Sequence, residues 1–229
     1  ASCGQQLSAE TTADFLEVIS IEPSRQITHD VELKDMFDKE VVSTDLAGPK
    51  LFSHAVGVGD ASAKQPAIFL NWYAITKPIA QRSAVLSVRD ELRGTDPYEI
   101  SLDKAAFLLS PAQQVTTGSP SDIPESLNYF KAYSISKASQ PKRNAVTLTA
   151  SMGPKQRRVV KAAYFCVPVE HWHHHDHSPI KQKDCFVVYE LEPEKVAEDI
   201  TTLDQFGMNK LKTVSSSWLC VRATIVEMK

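Results

Sequence analysis

The sequence predicts an all-β protein made of four internal repeats of about 55 residues, packed into one closed barrel-like, sandwich or propeller-like body. Three observations lead there. Similar blocks recur in a fixed order, the blocks carry strand periodicity, and turn-rich stretches separate them.

Each unit opens on an aromatic and β-branched block: Asp14 to Ile21, Phe69 to Ile75, Tyr129 to Ile135 and Asp184 to Leu191. The second block alternates apolar and polar residues with period two, as in Val31-Glu32-Leu33 and Val146-Thr147-Leu148; both patterns belong to strands. The segments Gln156 to Lys161 and Leu211 to Val214 read as a third strand. The closing block is aromatic-rich, and in it Ser53, Leu109, Cys166 and Cys220 fall 56, 57 and 54 residues apart. The repeats therefore span approximately 12–58, 66–115, 126–170 and 182–228, with a His-rich inter-repeat loop at 171–180 and turn-rich stretches at Gly57 to Pro66 and Thr116 to Pro124. Helical periodicity is weak and confined to Ser8 to Phe15, Glu192 to Asp199 and parts of Asp35 to Val42. A few short strands cannot hide their apolar face alone, so the units must share a core.

With 229 residues, 42% of them hydrophobic, the chain is large enough to bury that core;. Its formal charge of −3 lacks the concentrated basic field that nucleic acid binding needs;. Its apolar runs are far shorter than the roughly 18 residues of a membrane-crossing helix, so no transmembrane segment is expected. Four cysteines make an even set, which outside a reducing cytosol would form two disulfides. The opening Ala1-Ser2-Cys3-Gly4, without an initiator Met or an apolar leader, fits a secreted, periplasmic or cell-surface chain after signal-peptide removal. It also resembles the end of a lipoprotein signal, in which Cys3 would carry lipid.

Leu203-Asp204-Gln205-Phe206-Gly207, a short apolar strand and Trp218-Leu219-Cys220 together resemble a repeat of uncharacterised secreted bacterial proteins, which reads aromatic-x-x-Tyr-x-Val, Leu-x-Asp-Gln-Phe, Leu-Cys-x-Pro. The match covers about 45 residues of the fourth unit, and the other units in degraded form. Pro168 and Pro111 keep the family's proline, whereas Arg222 and Ala55 replace it. Val188 stands where the family's upstream Cys stands, and Cys185 lies three positions earlier. The resemblance implies an exported β-rich module and no enzymatic activity. Two pairings of the cysteines remain open: Cys185 with Cys220 and Cys3 with Cys166, or Cys166 with Cys185 and Cys3 with Cys220. The second repeats one geometry around a closed ring and is preferred.

Five of the seven histidines lie in His171-Trp172-His173-His174-His175-Asp176-His177. Imidazole is a preferred ligand of Cu and Zn. In an extended segment His171, His173, His175 and His177 would share one side, with His174 on the other and Asp176 as an oxygen ligand or an acceptor that orients an imidazole. His54 is a candidate long-range addition; His29 precedes an apparent turn and carries no assignment. Asp35, Asp90 and Asp204 recur at one repeat position, which predicts a turn role. Tyr73, Tyr133, Tyr189, Trp72 and Trp218 read as core. No Gly-x-Ser-x-Gly elbow, His-Glu-x-x-His pair or phosphate-binding glycine loop is present, so an enzyme is not expected. The leading expectation is an exported Cu- or Zn-binding protein acting in sequestration or sensing. The alternative is a metal-independent structural or interaction module with a cell-surface partner.

Overall fold

The structure, a computed structural model, describes residues 13–23, 27–59, 68–77, 84–116, 119–150 and 153–229. Among these it forms fifteen strands and no helix: β1 (Phe15–Pro23), β2 (Ile27–Lys34), β3 (Val42–Ala55), β4 (Gly57–Val58), β5 (Phe69–Ile75), β6 (Val85–Asp90), β7 (Tyr98–Thr116), β8 (Ser119–Pro120), β9 (Tyr129–Ala138), β10 (Ala145–Ala150), β11 (Gly153–His173), β12 (Asp176–Ser178), β13 (Cys185–Lys195), β14 (Asp199–Asp204) and β15 (Gly207–Met228). The short helical stretch anticipated at Glu192 to Asp199 is instead taken up by the end of β13 and the start of β14. Its residues pair with the far side of β15, and that ladder outweighs a weak helical preference;.

Eight of the strands close a hydrogen-bonded ring, all antiparallel: β1 to β3, β5, β7, β9, β11, β13, β15 and back to β1. The ring is continuous and is not divided into blades. Each long strand is shared between two tasks. In β11, for example, residues 153–158 form a hairpin with β10, and residues 164–169 then enter the ring beside β9. The hairpin strands β2, β6, β10 and β14 are held on their far edges by distant chain: β2 by the end of β11, β6 by the end of β15, β14 by the end of β7, and β10 by β4.

Side-chain alternation explains why the ring strands are aromatic and β-branched on both faces. One set of alternate residues, including Leu16, Val18, Leu51, Trp72, Leu109, Phe130, Ala132, Cys166, Phe186, Val188 and Cys220, meets in a single cluster drawn from all eight ring strands, which is the inner face;. There the Trp72 indole donates to Ser53 Oγ at 3.0 Å, a small residue leaving room for a large one. The opposite set, including Leu46, Tyr73, Leu108, Tyr133, Phe165 and Tyr189, packs with Val31, Leu33, Leu86, Val88, Val146 and Leu148 of the hairpin strands. The ring is thus buried on both sides. The hairpin strands are buried on one, hence their period of two.

Asp35, Asp90 and Asp204 end β2, β6 and β14 in the turn role their recurrence predicts. One carboxylate oxygen of each accepts a backbone N–H two residues on, from Phe37, Leu92 and Phe206 at 2.8, 2.8 and 2.9 Å;. The other oxygen accepts a tyrosine hydroxyl from a ring strand far away in sequence: Tyr133 to Asp35 at 2.6 Å, Tyr189 to Asp90 at 2.7 Å, and Tyr73 to Asp204 at 2.7 Å. These tyrosines occupy matching places, one residue beyond the partners of Leu109, Cys166 and Cys220. In β1 that place is Ile19. The matching position in the third hairpin is Ala150, opposite Gly153 as Asp204 is opposite Gly207, so that hairpin has no aspartate at this place.

Candidate functional site

The His-rich segment is a β-hairpin and not the extended loop anticipated. Strand β11 continues through His173, His174 and His175 form the turn, and β12 returns with His173 opposite Asp176, Trp172 opposite His177, and His171 opposite Ser178. His174 takes φ +55°, the left-handed conformation that a two-residue hairpin turn demands;. Opposed residues share a face, so His171, His173, Asp176 and Ser178 project to one side while Trp172 and His177 project to the other;. The expected common side for His171, His173, His175 and His177 is therefore not formed.

The two faces have different surroundings. His177 stacks on Trp172 (centroids 4.6 Å apart, planes at 9°) and lies 3.4 Å from Glu170 Oε2. His171 is fully buried, stacked on Tyr129 at 4.6 Å, with Nε2 3.0 Å from the Gln205 side-chain amide. Burial, reinforced by His173, pushes its pKa down to about 3, so it is a neutral packing residue at ordinary pH;. His175 and Asp176 are exposed at the tip.

Pairing of Glu170, His171 and Trp172 with Lys34, Leu33 and Glu32 lays β2 beside the hairpin and brings in His29. The His29 ring lies 5.9 Å from that of His173 and 4.4 Å from Phe206, while His173 lies 4.1 Å from His174, 6.3 Å from His171 and 5.1 Å from Phe206. Burial first, then His173 and His174, lowers the pKa of His29. His173 is lowered by burial and then His174, with Asp176 opposing. Sequence spacing cannot reveal His29, because only the β2–β11 pairing brings it to the hairpin. In the orientations seen, no three His, Cys, Asp or Glu side chains among the described residues are placed to hold a metal ion.

His54 belongs to a different place. Its Nε2 lies 3.5 Å from Glu17, which also accepts from Ser216 at 2.5 Å and sits 3.5 Å from Arg157. His54, Glu17 and Arg157 line a small cavity of about 110 Å³ with Glu194 and Lys155.

Cys166, Cys185 and Cys220 are free, buried thiols. Cys166 pairs with Phe186, so Cys185, one residue along, faces the other side of the sheet, among the residues packed on the hairpin strands. Cys220 shares the inner face with Cys166. Neither a Cys166–Cys185 nor a Cys185–Cys220 bridge is present, since each would have to pass through the sheet. Cys3 and its pairings lie outside the described residues.

Fold and site together define an all-β module whose ring is closed by hydrogen bonds and whose one histidine-rich hairpin stands at its edge. A family model described as a repeat of unknown function (DUF7450) matches residues 69–222, and the chain belongs to that family. No curated protein and no solved structure matches it. No helix among the described residues is long and apolar enough to cross a membrane.

Proposed function

We propose that the chain is a non-enzymatic β scaffold, exported from the cell, that binds Cu or Zn at the histidine hairpin for sequestration or sensing. The supporting observation is the meeting of His29 from β2 with His173 of the hairpin around Phe206, with His174 against His173. With metal–nitrogen distances of about 2.0–2.1 Å, imidazoles sharing an ion hold their ring centres roughly 4.5–6.5 Å apart. The His29–His173 separation of 5.9 Å lies in that range, and His173 to His174 at 4.1 Å lies just below it. The site requires rotamer changes at half-buried His173 and exposed His174 to turn ring nitrogens toward a common point, with Asp176 as oxygen ligand or as acceptor from His173;. His171 and His177 leave the ligand set, having partners of their own.

The same reading takes the chain as four copies of one unit closed into a barrel, which accounts for three matching Asp–Tyr pairs joining distant segments. The alternative, a metal-independent interaction module, is favoured by the lack of a converged ligand triad in the orientations seen. Isothermal titration with Cu(II) and Zn(II) decides between them. Binding that His29→Ala/His173→Ala removes and His177→Ala leaves intact supports the metal site. Affinity and stoichiometry unchanged in the double variant sink it.

A further inference from the structure

The buried charge cluster beneath the first hairpin is built differently from its counterparts. Lys131 of β9 has no solvent exposure along its side chain, and its Nζ lies 3.0 Å from Asp35 Oδ2 and 2.5 Å from Asp38 Oδ2. The Asp35 side chain is equally inaccessible. Tyr133 donates to the same Asp35 oxygen and carries Phe37 edge-on at 5.4 Å, so an amine and two carboxyls sit under aromatic cover.

At the matching aspartate of the last hairpin, the residue in the place of Lys131 is Asn71, whose amide donates to Asp204 at 2.7 Å. An amide therefore satisfies this acceptor without bringing a charge into the core. The position matching Asp38, three residues after the turn aspartate, is Arg93 in the second hairpin and Gly207 in the last. The amine and the second acid thus occur together at this one cluster.

We propose that Lys131 and Asp35 condense into an intramolecular isopeptide bond, with Asp38 moving the protons. Transfer of one proton from the Lys131 ammonium to the Asp35 carboxylate gives the free amine and the acid. The amine lone pair then attacks Asp35 Cγ. Asp38 takes a proton from the attacking nitrogen and delivers it to the departing hydroxyl, which leaves as water. The Nζ–Cγ bond forms, the Cγ–Oδ bond breaks, and no oxidant or cofactor is consumed. Two features favour the reaction. Burial penalises the ion pair relative to its neutral form and raises the Asp35 pKa, so condensation removes two desolvated charges;. The fold also holds nucleophile and acid in contact, giving the high effective molarity of a positioned intramolecular reaction.

Intact-mass spectrometry of the denatured full chain tests this. The purified protein should be one water lighter than its sequence requires. After trypsin, the peptide Asp35–Lys39 should be joined to a 105–137 peptide left uncut at Lys131, and fragmentation should place the link on Asp35. Asp38→Asn, which keeps the amine, the electrophile and the side-chain volume, should restore the full mass. A wild-type chain at full mass after prolonged incubation overturns the proposal, as does a lost water mapped to any other pair. Equal loss of water in the Asp38→Asn chain overturns the role of Asp38.

Discussion

Tyr133 Oη donates to Asp35 Oδ2 at 2.6 Å across 98 residues of chain, and this one contact joins the turn after β2 to a ring strand on the far side of the sequence. Both residues are buried, and the same Asp35 carboxylate also receives the Phe37 backbone N–H. Tyr133→Phe keeps the ring and leaves a buried acceptor oxygen of Asp35 short of a donor, which costs about 1–3 kcal/mol. The denaturant midpoint should fall without a change in slope, and Tyr73→Phe should behave alike through Asp204. An unchanged midpoint would show that the contact contributes nothing to stability.

Acid should weaken the fold through His171. Its folded pKa of about 3 lies below the ordinary histidine value near 6.5, so the unfolded chain binds the proton first as pH falls;. Stability is fully present above about pH 6.5 and declines below it by about 1.4 kcal/mol per pH unit until the folded group titrates. His171→Gln removes that dependence. Chemical denaturation of both proteins between pH 6.5 and 5, before most carboxylates protonate, should show a steeper loss in the wild type.

Metal retention should extend to unusually low pH. Protons compete with metal for imidazole nitrogens, and the lowered pKa values of His29 and His173 weaken that competition;. Release of Cu(II) or Zn(II) followed by titration should therefore occur at lower pH from the folded protein than from a free peptide of residues 170–178. His29→Ala should move the release toward the peptide value.

Thiol chemistry should follow burial. Cys166, Cys185 and Cys220 all have their pKa raised by burial, Cys185 to about 12, so the reactive thiolate is scarce and shielded;. A disulfide-exchange reagent should leave all three unmodified in the native protein and modify all three in denaturant without prior reduction. Failure of Cys166 and Cys185 to react in denaturant would restore the disulfide expected from the sequence.

Strands were legible in the sequence because alternation is a local property: Val31 and Leu33, or Val146 and Leu148, announce one buried face without reference to anything distant. The turn role of Asp35, Asp90 and Asp204 was legible for the same reason. Ring closure was not, since pairing of Phe15 with Val221 leaves no trace in either segment. The histidine hairpin leaves no local signal, because its turn lacks the Asn-Gly or Asp-Gly pair and uses His174 in a left-handed conformation;. That reversal carried His177 to the face opposite His173 and left His29 to join from β2. Among the described residues no Cys166–Cys185 or Cys185–Cys220 bridge is present, because alternation puts Cys185 on the opposite side of the sheet from Cys166 and Cys220, a relation that only the strand register reveals.

Pairing of β1 with β15 makes the architecture indivisible. Stacked-repeat proteins lengthen or shorten by whole units, because each unit touches only its neighbours. Here the first and last strands are neighbours, and the hairpin strands are anchored by remote segments. Deleting a ring strand with its hairpin would leave two open strand edges, inviting edge-to-edge aggregation. Adding or removing a ring strand would break one of the ladders that close the ring. Its predominantly long-range ladders also imply slow, all-or-none folding compared with a helical array of equal length.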